Sequence, residues 1–135
     1  MNLRAILHLV GHVALPALAA RLIFPRAFRR AWLLMLLANL VDLDHLVQAR
    51  VYDPNRCSIG AHPLHTAPAI VGYALLLLPA RSRMLGAGLL LHMAWDQVDC
   101  WWMQSEQRAA LSKVGHVFGE CRALDRELSA SIERG

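Results

Sequence analysis

Four short motifs in this chain combine residue types and spacings that suit a metal ion. Each is a pair of side chains three or four positions apart, so on a helix both members share one face and can offer ligand atoms to one ion. The pairs are His8 and His12, Asp42 and His45, His62 and His65, and His92 and Asp96. Mixed imidazole and carboxylate ligands suit zinc, which we expect here, and also manganese or iron. Because these candidates outnumber the ligands of a single ion, we expect one or two ions.

Two further aspartates lie beside these pairs and are predicted to be catalytic. Asp44 points away from Asp42 on a regular helix, so it either joins the site where the helix frays or orients a histidine from behind. Asp99 follows the last pair on the same helix, and either aspartate could act as a general base. In the loop beside the site, Arg50 and Arg56 are predicted to hold a phosphate or carboxylate of the substrate, with lipid headgroup contact as the alternative.

Four apolar segments carry these residues, and each is interpreted as a membrane-spanning helix. They run from about Leu3 to Phe24, Ala31 to Ala49, Pro63 to Pro79 and Met84 to Met103. A spanning helix needs about 20 residues. The third segment has 17 and is therefore expected to begin below the membrane surface. Strands are not expected, because the apolar runs are long and show no alternation with a period of two.

Four antiparallel helices would bring the metal-binding pairs to one level of the bundle. Counted along the helices at about 1.5 Å per residue, the pairs all fall near the same end. Six of the seven histidines and four of the six aspartates are expected there. A charge at the bilayer centre costs roughly 2.5–3.5 kcal/mol, so the aspartates need partners. Since the arginines lie mainly at segment ends, the partners available are histidines or metal ions.

Composition and charge indicate one small domain in a membrane. The chain has 135 residues, of which 56% are hydrophobic, and its mean hydropathy is +0.35. These values are too high for an ordinary soluble domain of this size. The net charge of +4 does not indicate nucleic acid as a partner, because the basic residues fall between apolar runs. Arginines at the end of the bundle away from the site predict, by the positive-inside rule, that the site is nearer the outer face.

The last part of the chain follows a different pattern. Apolar residues recur there at three- and four-residue spacing, which predicts an amphipathic helix on the membrane or bundle surface, or a homodimer contact. They are Leu111, Val114, Phe118, Cys121, Leu124, Leu128 and Ile132. The predicted architecture is therefore an all-α bundle of four transmembrane helices over 1–103, followed by an amphipathic helical tail over 104–135. The three cysteines are too few for a disulfide scaffold, and whether Cys57 and Cys100 pair is left open.

The order of the motifs resembles the bacterial membrane-bound metal-dependent hydrolases. The resemblance is greatest to an uncharacterised branch of small inner-membrane proteins with a domain of unknown function, and it covers roughly residues 6–100. Its residues are the HxxxH of the first segment, Asp42-Leu43-Asp44-His45-Leu46, residues 53–60, His62-Pro63-Leu64-His65 and the HxxxD of the fourth segment. In larger relatives the middle motif is closer to His-Arg-Gly-x-Thr-His-Ser, so His62 departs from the pattern. The resemblance implies a metal-dependent hydrolase of the bacterial inner membrane.

These observations together predict an integral membrane hydrolase that uses metal-activated water on a lipid or lipid-linked phosphoester. A membrane metal-binding protein or metal-ion transporter is the alternative. The halves of the helices away from the site contain almost no polar residues, which argues against a path through the membrane. Haem ligation is a third reading, and the carboxylates beside the histidines fit it poorly.

Overall fold

The computed structural model describes residues 3–47 and 57–132. Over these ranges the chain is helical and contains no strand, so the predicted all-α class is confirmed. The α-helices are α1 (Leu3–Ile23), α2 (Phe28–Leu37), α3 (Ala67–Leu75) and α4 (Arg83–Ile132). Three 3-10 segments lie between them, at Pro25–Ala27, Ala38–Val47 and Pro63–His65.

Within the described ranges, α1 is the one helix long and apolar enough to cross a membrane. The second predicted span is divided between α2 and the 3-10 segment Ala38–Val47, each of 10 residues. Helix α3 has 9 residues, which corresponds to about 14 Å, well short of a hydrocarbon core of about 30 Å. The structure therefore establishes an all-α fold with one candidate membrane span, a coarser result than the predicted bundle of four spanning helices.

Helix α4 continues without interruption from Arg83 to Ile132. The sequence predicted instead a spanning helix that ends near Met103 and a separate tail helix. Residues 104–110 include no proline or glycine and are mostly good helix formers, so nothing ends the helix there. The chain divides after Trp101 into two compact units. In the second unit, Leu111, Val114 and Phe118 are exposed.

The 3-10 segment Ala38–Val47 arranges its side chains in three stripes. Residues three apart eclipse each other in a 3-10 helix, and such segments rarely exceed 3–4 residues. The buried stripe is Ala38, Val41 and Asp44, the half-buried stripe is Asn39, Asp42 and His45, and the exposed stripe is Leu40, Leu43 and Leu46. One segment therefore presents polar side chains on two inward stripes and leucines on the outer one.

Helices α1, α2 and α4 meet in a small apolar core at the end of the unit away from these polar stripes. Ala20, Ala31 and Met35 are fully or almost fully buried there, against Met84 and Ala87. Gly88 lets α4 approach α2 closely, because a Cβ at this position would lie 2.6 Å from the Cα of Met35. Because glycine has no Cβ, α4 can pack directly against α2, which places the ligand-bearing elements side by side.

Replacing Gly88 with alanine is expected to lower the free energy of unfolding by about 1–3 kcal/mol, because the added methyl group overpacks the contact with Met35. Thermal and denaturant unfolding of the detergent-solubilised protein would measure the change. Gly72→Ala on α3 is the matched control, since nothing lies within 4 Å of its added Cβ. An equal loss of stability in both variants would contradict the close approach at Gly88.

Candidate metal centre

Four side chains from three separate segments bring ligand atoms within 4.8 Å of one another. We call them the four-ligand cluster: Asp42, His65, His92 and Asp96. His92 Nε2 lies 3.1 Å from Asp42 Oδ1 and 3.5 Å from Asp96 Oδ2. His65 Nε2 lies 3.3 and 3.2 Å from the same two oxygens. Ligands held about 2.0–2.1 Å from one tetrahedral ion are about 3.3 Å apart, so these distances fit a single ion.

His65 supplies a direct test of that fit. Its side chain is 0% exposed, and its Nε2 faces two carboxylate oxygens without forming a hydrogen bond. Buried polar atoms are normally hydrogen-bonded, and an orphaned one needs an explanation. Two carboxylate oxygens, from Asp42 and Asp96, lie within 3.3 Å of this nitrogen. A metal ion between these groups would bind the nitrogen and both carboxylates, which would account for the missing hydrogen bond.

Outer hydrogen bonds turn the two histidines of the four-ligand cluster toward its centre. With its proton on Nδ1, His65 faces Asp44 Oδ2 at 3.2 Å, and the same oxygen accepts the Leu64 backbone N–H at 2.9 Å. His92 Nδ1 faces Asn39 Oδ1 in the same way, at 3.1 Å. Metal-ligating histidines typically donate their second N–H to a carboxylate or carbonyl oxygen, which fixes the tautomer. With both protons on Nδ1, each Nε2 presents its lone pair to the carboxylates of the cluster, His92 Nε2 at 3.1 Å from Asp42 Oδ1.

A second group shares Asp96 with the first. We call it the three-ligand cluster: His8, His12 and Asp96. His12 Nε2 lies 3.1 Å from both His8 Nε2 and Asp96 Oδ1, and His8 Nε2 lies 3.6 Å from that oxygen. Trp95 on α4 donates from Nε1 to the His8 carbonyl at 2.9 Å, which fixes α1 against α4 at this level. The predicted pair on α1 therefore meets the predicted pair on α4.

A third group, which we call the peripheral cluster, also brings ligand atoms within 4.8 Å of one another and could hold an ion: Asp44, His45 and His62. His45 Nδ1 lies 3.1 Å from Asp44 Oδ1 and 3.8 Å from Asp42 Oδ1. The rings of His45 and His62 stack with their centroids 3.7 Å apart. The sequence treated His45 as a ligand beside Asp42, whereas the structure groups it with Asp44 and His62. The 3-10 rise of about 2.0 Å per residue carries His45 past the four-ligand cluster.

The remaining predicted site residues lie at the edge of the centre or outside the described ranges. Asp99 forms an ion pair with Arg4, Oδ2 to Nη1, at 3.2 Å, and its Oδ1 lies 3.9 Å from His8 Nδ1. It therefore lies beside the ring nitrogen of His8 that does not face the three-ligand cluster. Arg50 and Arg56, predicted to hold the substrate, fall in the stretch 48–56 that the structure does not describe.

A disulfide between Cys57 and Cys100 settles the pairing that the sequence left open, with the two Cα atoms 5.1 Å apart. Cys100 follows Asp96 by one helical turn, so the bond ties the segment leading to His62 and His65 to the ligand-bearing part of α4. Gly60 has a φ of +81°, a conformation that favours glycine. Its N–H donates to the His65 carbonyl at 2.9 Å, which closes the loop around this ligand.

Asn39 is a site residue that the sequence analysis did not single out. It accepts from His92, and its Nδ2–H donates to the His12 carbonyl at 3.1 Å, so it joins α1, the 3-10 segment and α4. The available signal was its position, three residues before Asp42 and alone in an otherwise apolar run. Asparagine at such a place indicates a buried hydrogen-bonding role.

Asn39→Ala is expected to weaken metal binding about 10- to 100-fold, because His92 loses the acceptor that fixes its tautomer and orientation. Competition with a chromophoric chelator would measure the affinity. Leu40→Ala is the matched control on the same segment, since Leu40 belongs to the exposed stripe. If Asn39→Ala binds metal as tightly as Leu40→Ala, Asn39 does not position His92.

The fold and the site define a small all-α protein with a buried histidine and carboxylate centre suited to metal ions. The chain belongs to a family of unknown function, DUF6122, whose model matches residues 2–103. The match includes every predicted site residue and ends before the tail. No curated protein and no solved structure matches the chain. Nothing in these comparisons links the family to the metal-dependent hydrolases that the motif order resembles.

Proposed function

We propose that this protein is an integral membrane metal-dependent hydrolase that acts on a lipid or lipid-linked phosphoester. The observation that carries the proposal is the four-ligand cluster, whose two histidines are each oriented by an outer oxygen. Its imidazole and carboxylate donors suit zinc, with manganese or iron as alternatives. When bound, such an ion supplies a Lewis acid and a water of lowered pKa.

The two aspartates predicted to be catalytic suit different tasks. Both oxygens of Asp44 face neighbouring groups, so it serves to position His65 and His45. Asp99 is 25% exposed and lies behind His8, where it could hold or release a proton at Oδ1. Asp99 is therefore the better candidate for general base, and its Oδ2 is paired with Arg4.

The proposal places the protein in the bacterial inner membrane, which it crosses several times. The combined length of α2 and the 3-10 segment Ala38–Val47 supports this, as do the exposed leucines of that segment. Helix α2 and the 3-10 segment Ala38–Val47 together reach about 35 Å, at about 1.5 and 2.0 Å per residue, enough to cross a core of about 30 Å. The composite span is not one continuous α-helix, because it changes to 3-10 geometry at Ala38. Its outer stripe consists of leucines that are more than half exposed, as expected for a lipid-facing surface.

Two observations favour the outer face for the centre. Along α4, Asp96 lies about 20 Å from Arg83, so the centre and the arginine-rich end are near opposite surfaces. The disulfide Cys57–Cys100 belongs to the same end as the centre, and disulfides persist mainly in oxidising compartments. Both fit the positive-inside expectation.

A lipid substrate is supported by the exposure of the centre. Most of its side chains are buried, but those of Asp42 and His8 are 41% and 30% exposed. An ester carried by a lipid could reach the ions from the membrane interface at these side chains. Arg50 and Arg56 precede Cys57 in the chain and remain our proposed contacts for a substrate phosphate.

The tail carries a separate proposal about partners. Leu111, Val114 and Phe118 share one face of α4 and are exposed, and such a stripe suits a homodimer contact. Sedimentation in detergent should give a dimer for the natural chain and a monomer for Leu111→Asp. Identical sedimentation of the two would remove this contact from consideration.

The function is tested with metal-stripped protein reloaded with zinc, manganese or iron and assayed against phospholipids and lipid-linked phosphoesters in mixed micelles. We expect cleavage only with metal, lost in His92→Ala and retained in His116→Ala, which changes an exposed histidine of the tail. A metal-loaded protein inert towards every ester class would overturn the proposal. Metal uptake into proteoliposomes without cleavage would support the transporter instead.

A further inference from the structure

We propose that the centre holds two metal ions that share the carboxylate of Asp96, one oxygen each, and that the ion bound by His8 and His12 carries the reactive position. The inference rests on the proposed function for its chemical meaning. Its test, by contrast, measures metal binding and requires no hydrolysis.

The two oxygens of Asp96 face two different pairs of histidine nitrogens. Oδ2 lies 3.2 Å from His65 Nε2 and 3.5 Å from His92 Nε2. Oδ1 lies 3.1 Å from His12 Nε2 and 3.6 Å from His8 Nε2. The carboxylate is 3% exposed, so it faces these nitrogens rather than solvent. A carboxylate placed in this way can bridge two ions about 3.5–4 Å apart, the separation typical of two-metal hydrolytic sites.

The two halves of the centre differ in the number of ligands. The four-ligand cluster supplies four donors, which complete a tetrahedral ion and leave no position for water. The three-ligand cluster supplies three, which is the number in catalytic zinc sites that keep a fourth position for water or substrate. His8, in the incomplete half, is 30% exposed, so solvent reaches this half of the centre. The number of ligands thus assigns a structural role to one ion and the reactive position to the other.

Charge favours a phosphoester as the substrate of such a pair. Asp42, Asp44 and Asp96 bring three negative charges, while Asp99 is balanced by Arg4. One divalent ion leaves the centre negative, and two make it positive by one unit. A positive two-metal centre attracts a phosphate anion and stabilises the charge that develops on its oxygens. Within the proposed function, the substrate class is therefore a phosphoester rather than a neutral carboxylic ester.

The natural chain itself allows the first test, with Mn²⁺ as the probe. Metal-stripped protein in detergent is titrated with Mn²⁺ while binding is followed by electron paramagnetic resonance. We expect saturation at two ions per chain, and a spectrum at two equivalents that is broadened by coupling between the ions. Saturation at one ion would show that Asp96 does not bridge two ions. So would a second equivalent that doubles the first signal without changing its shape.

Variants then separate the two halves. His8→Ala combined with His12→Ala should bind one Mn²⁺ per chain, with an affinity for that ion within about tenfold of the natural value. Asp96→Asn should weaken both ions by at least about 100-fold, since even the loss of an outer partner costs 10- to 100-fold. His116→Ala should still bind two. If Asp96→Asn leaves either ion at its natural affinity, or the double variant loses both ions with its circular dichroism unchanged, the inference is wrong.

The outcomes for the ions and for hydrolysis are distinguishable. Two coupled ions in a protein that cleaves no ester would overturn the proposed function but support the inference that Asp96 bridges two ions. Metal-dependent cleavage by a protein that saturates at one ion per chain would support the proposed function and show that Asp96 does not bridge two ions.

Discussion

His65→Ala is expected to weaken binding of the ion in the four-ligand cluster by at least about 100-fold, since the loss of an outer partner alone costs 10- to 100-fold. The residue is completely buried, and its Nε2 faces both carboxylates of the cluster. The neighbouring histidine His62 stacks on His45 and is not a member of the four-ligand cluster. Competition between the stripped protein and a chromophoric chelator for Zn²⁺ would measure the loss. Any metal-dependent hydrolysis should fall with the metal occupancy.

His45→Ala is the matched control for that experiment. His45 is also a histidine near Asp42, but it belongs to the peripheral cluster. We expect its replacement to change the affinity less than about tenfold, because it only supports Asp44, an outer partner of a ligand. A loss for His45→Ala as large as that for His65→Ala would favour the ligand set predicted from sequence, which contains both histidines, over the four-ligand cluster.

Replacing both Cys57 and Cys100 with serine should lower the free energy of unfolding by about 4 kcal/mol in the chain-entropy description of disulfides. The two residues are 43 positions apart, so the bond removes much of the freedom of the unfolded chain. It also ties the loop that carries His62 and His65 to α4. Denaturant unfolding in mild detergent, followed by tryptophan fluorescence, would measure the difference.

Cys121→Ser is the control for the disulfide, since Cys121 is exposed and has no disulfide partner in the structure. Its replacement should leave stability unchanged. Alkylation under denaturing, non-reducing conditions should label one cysteine of the natural chain and three after reduction. Three labelled cysteines before reduction would contradict the bond and would remove its support for the outer face.

Local patterns in the chain were enough to predict its class and most members of the centre. Long apolar runs without alternation predicted an all-α fold, which is confirmed. A spacing of four placed His8 with His12 and His92 with Asp96, because α-helical geometry depends only on neighbours along the chain. The same reasoning could not place Asn39, whose role depends on His92 and on the His12 carbonyl, both remote in sequence.

Tertiary packing decided which candidates meet. The stretch from Asp42 to His45 forms a 3-10 helix, whose rise of about 6 Å over three residues moves His45 beyond the cluster that Asp42 joins. Asp44 lies on the buried stripe and faces His65 rather than solvent. The position of Asp96 between two pairs of histidines depends on how α1 and α4 pack against each other. Spacing along a chain specifies the face that a side chain shares, whereas the rotation and separation of neighbouring helices specify its partners.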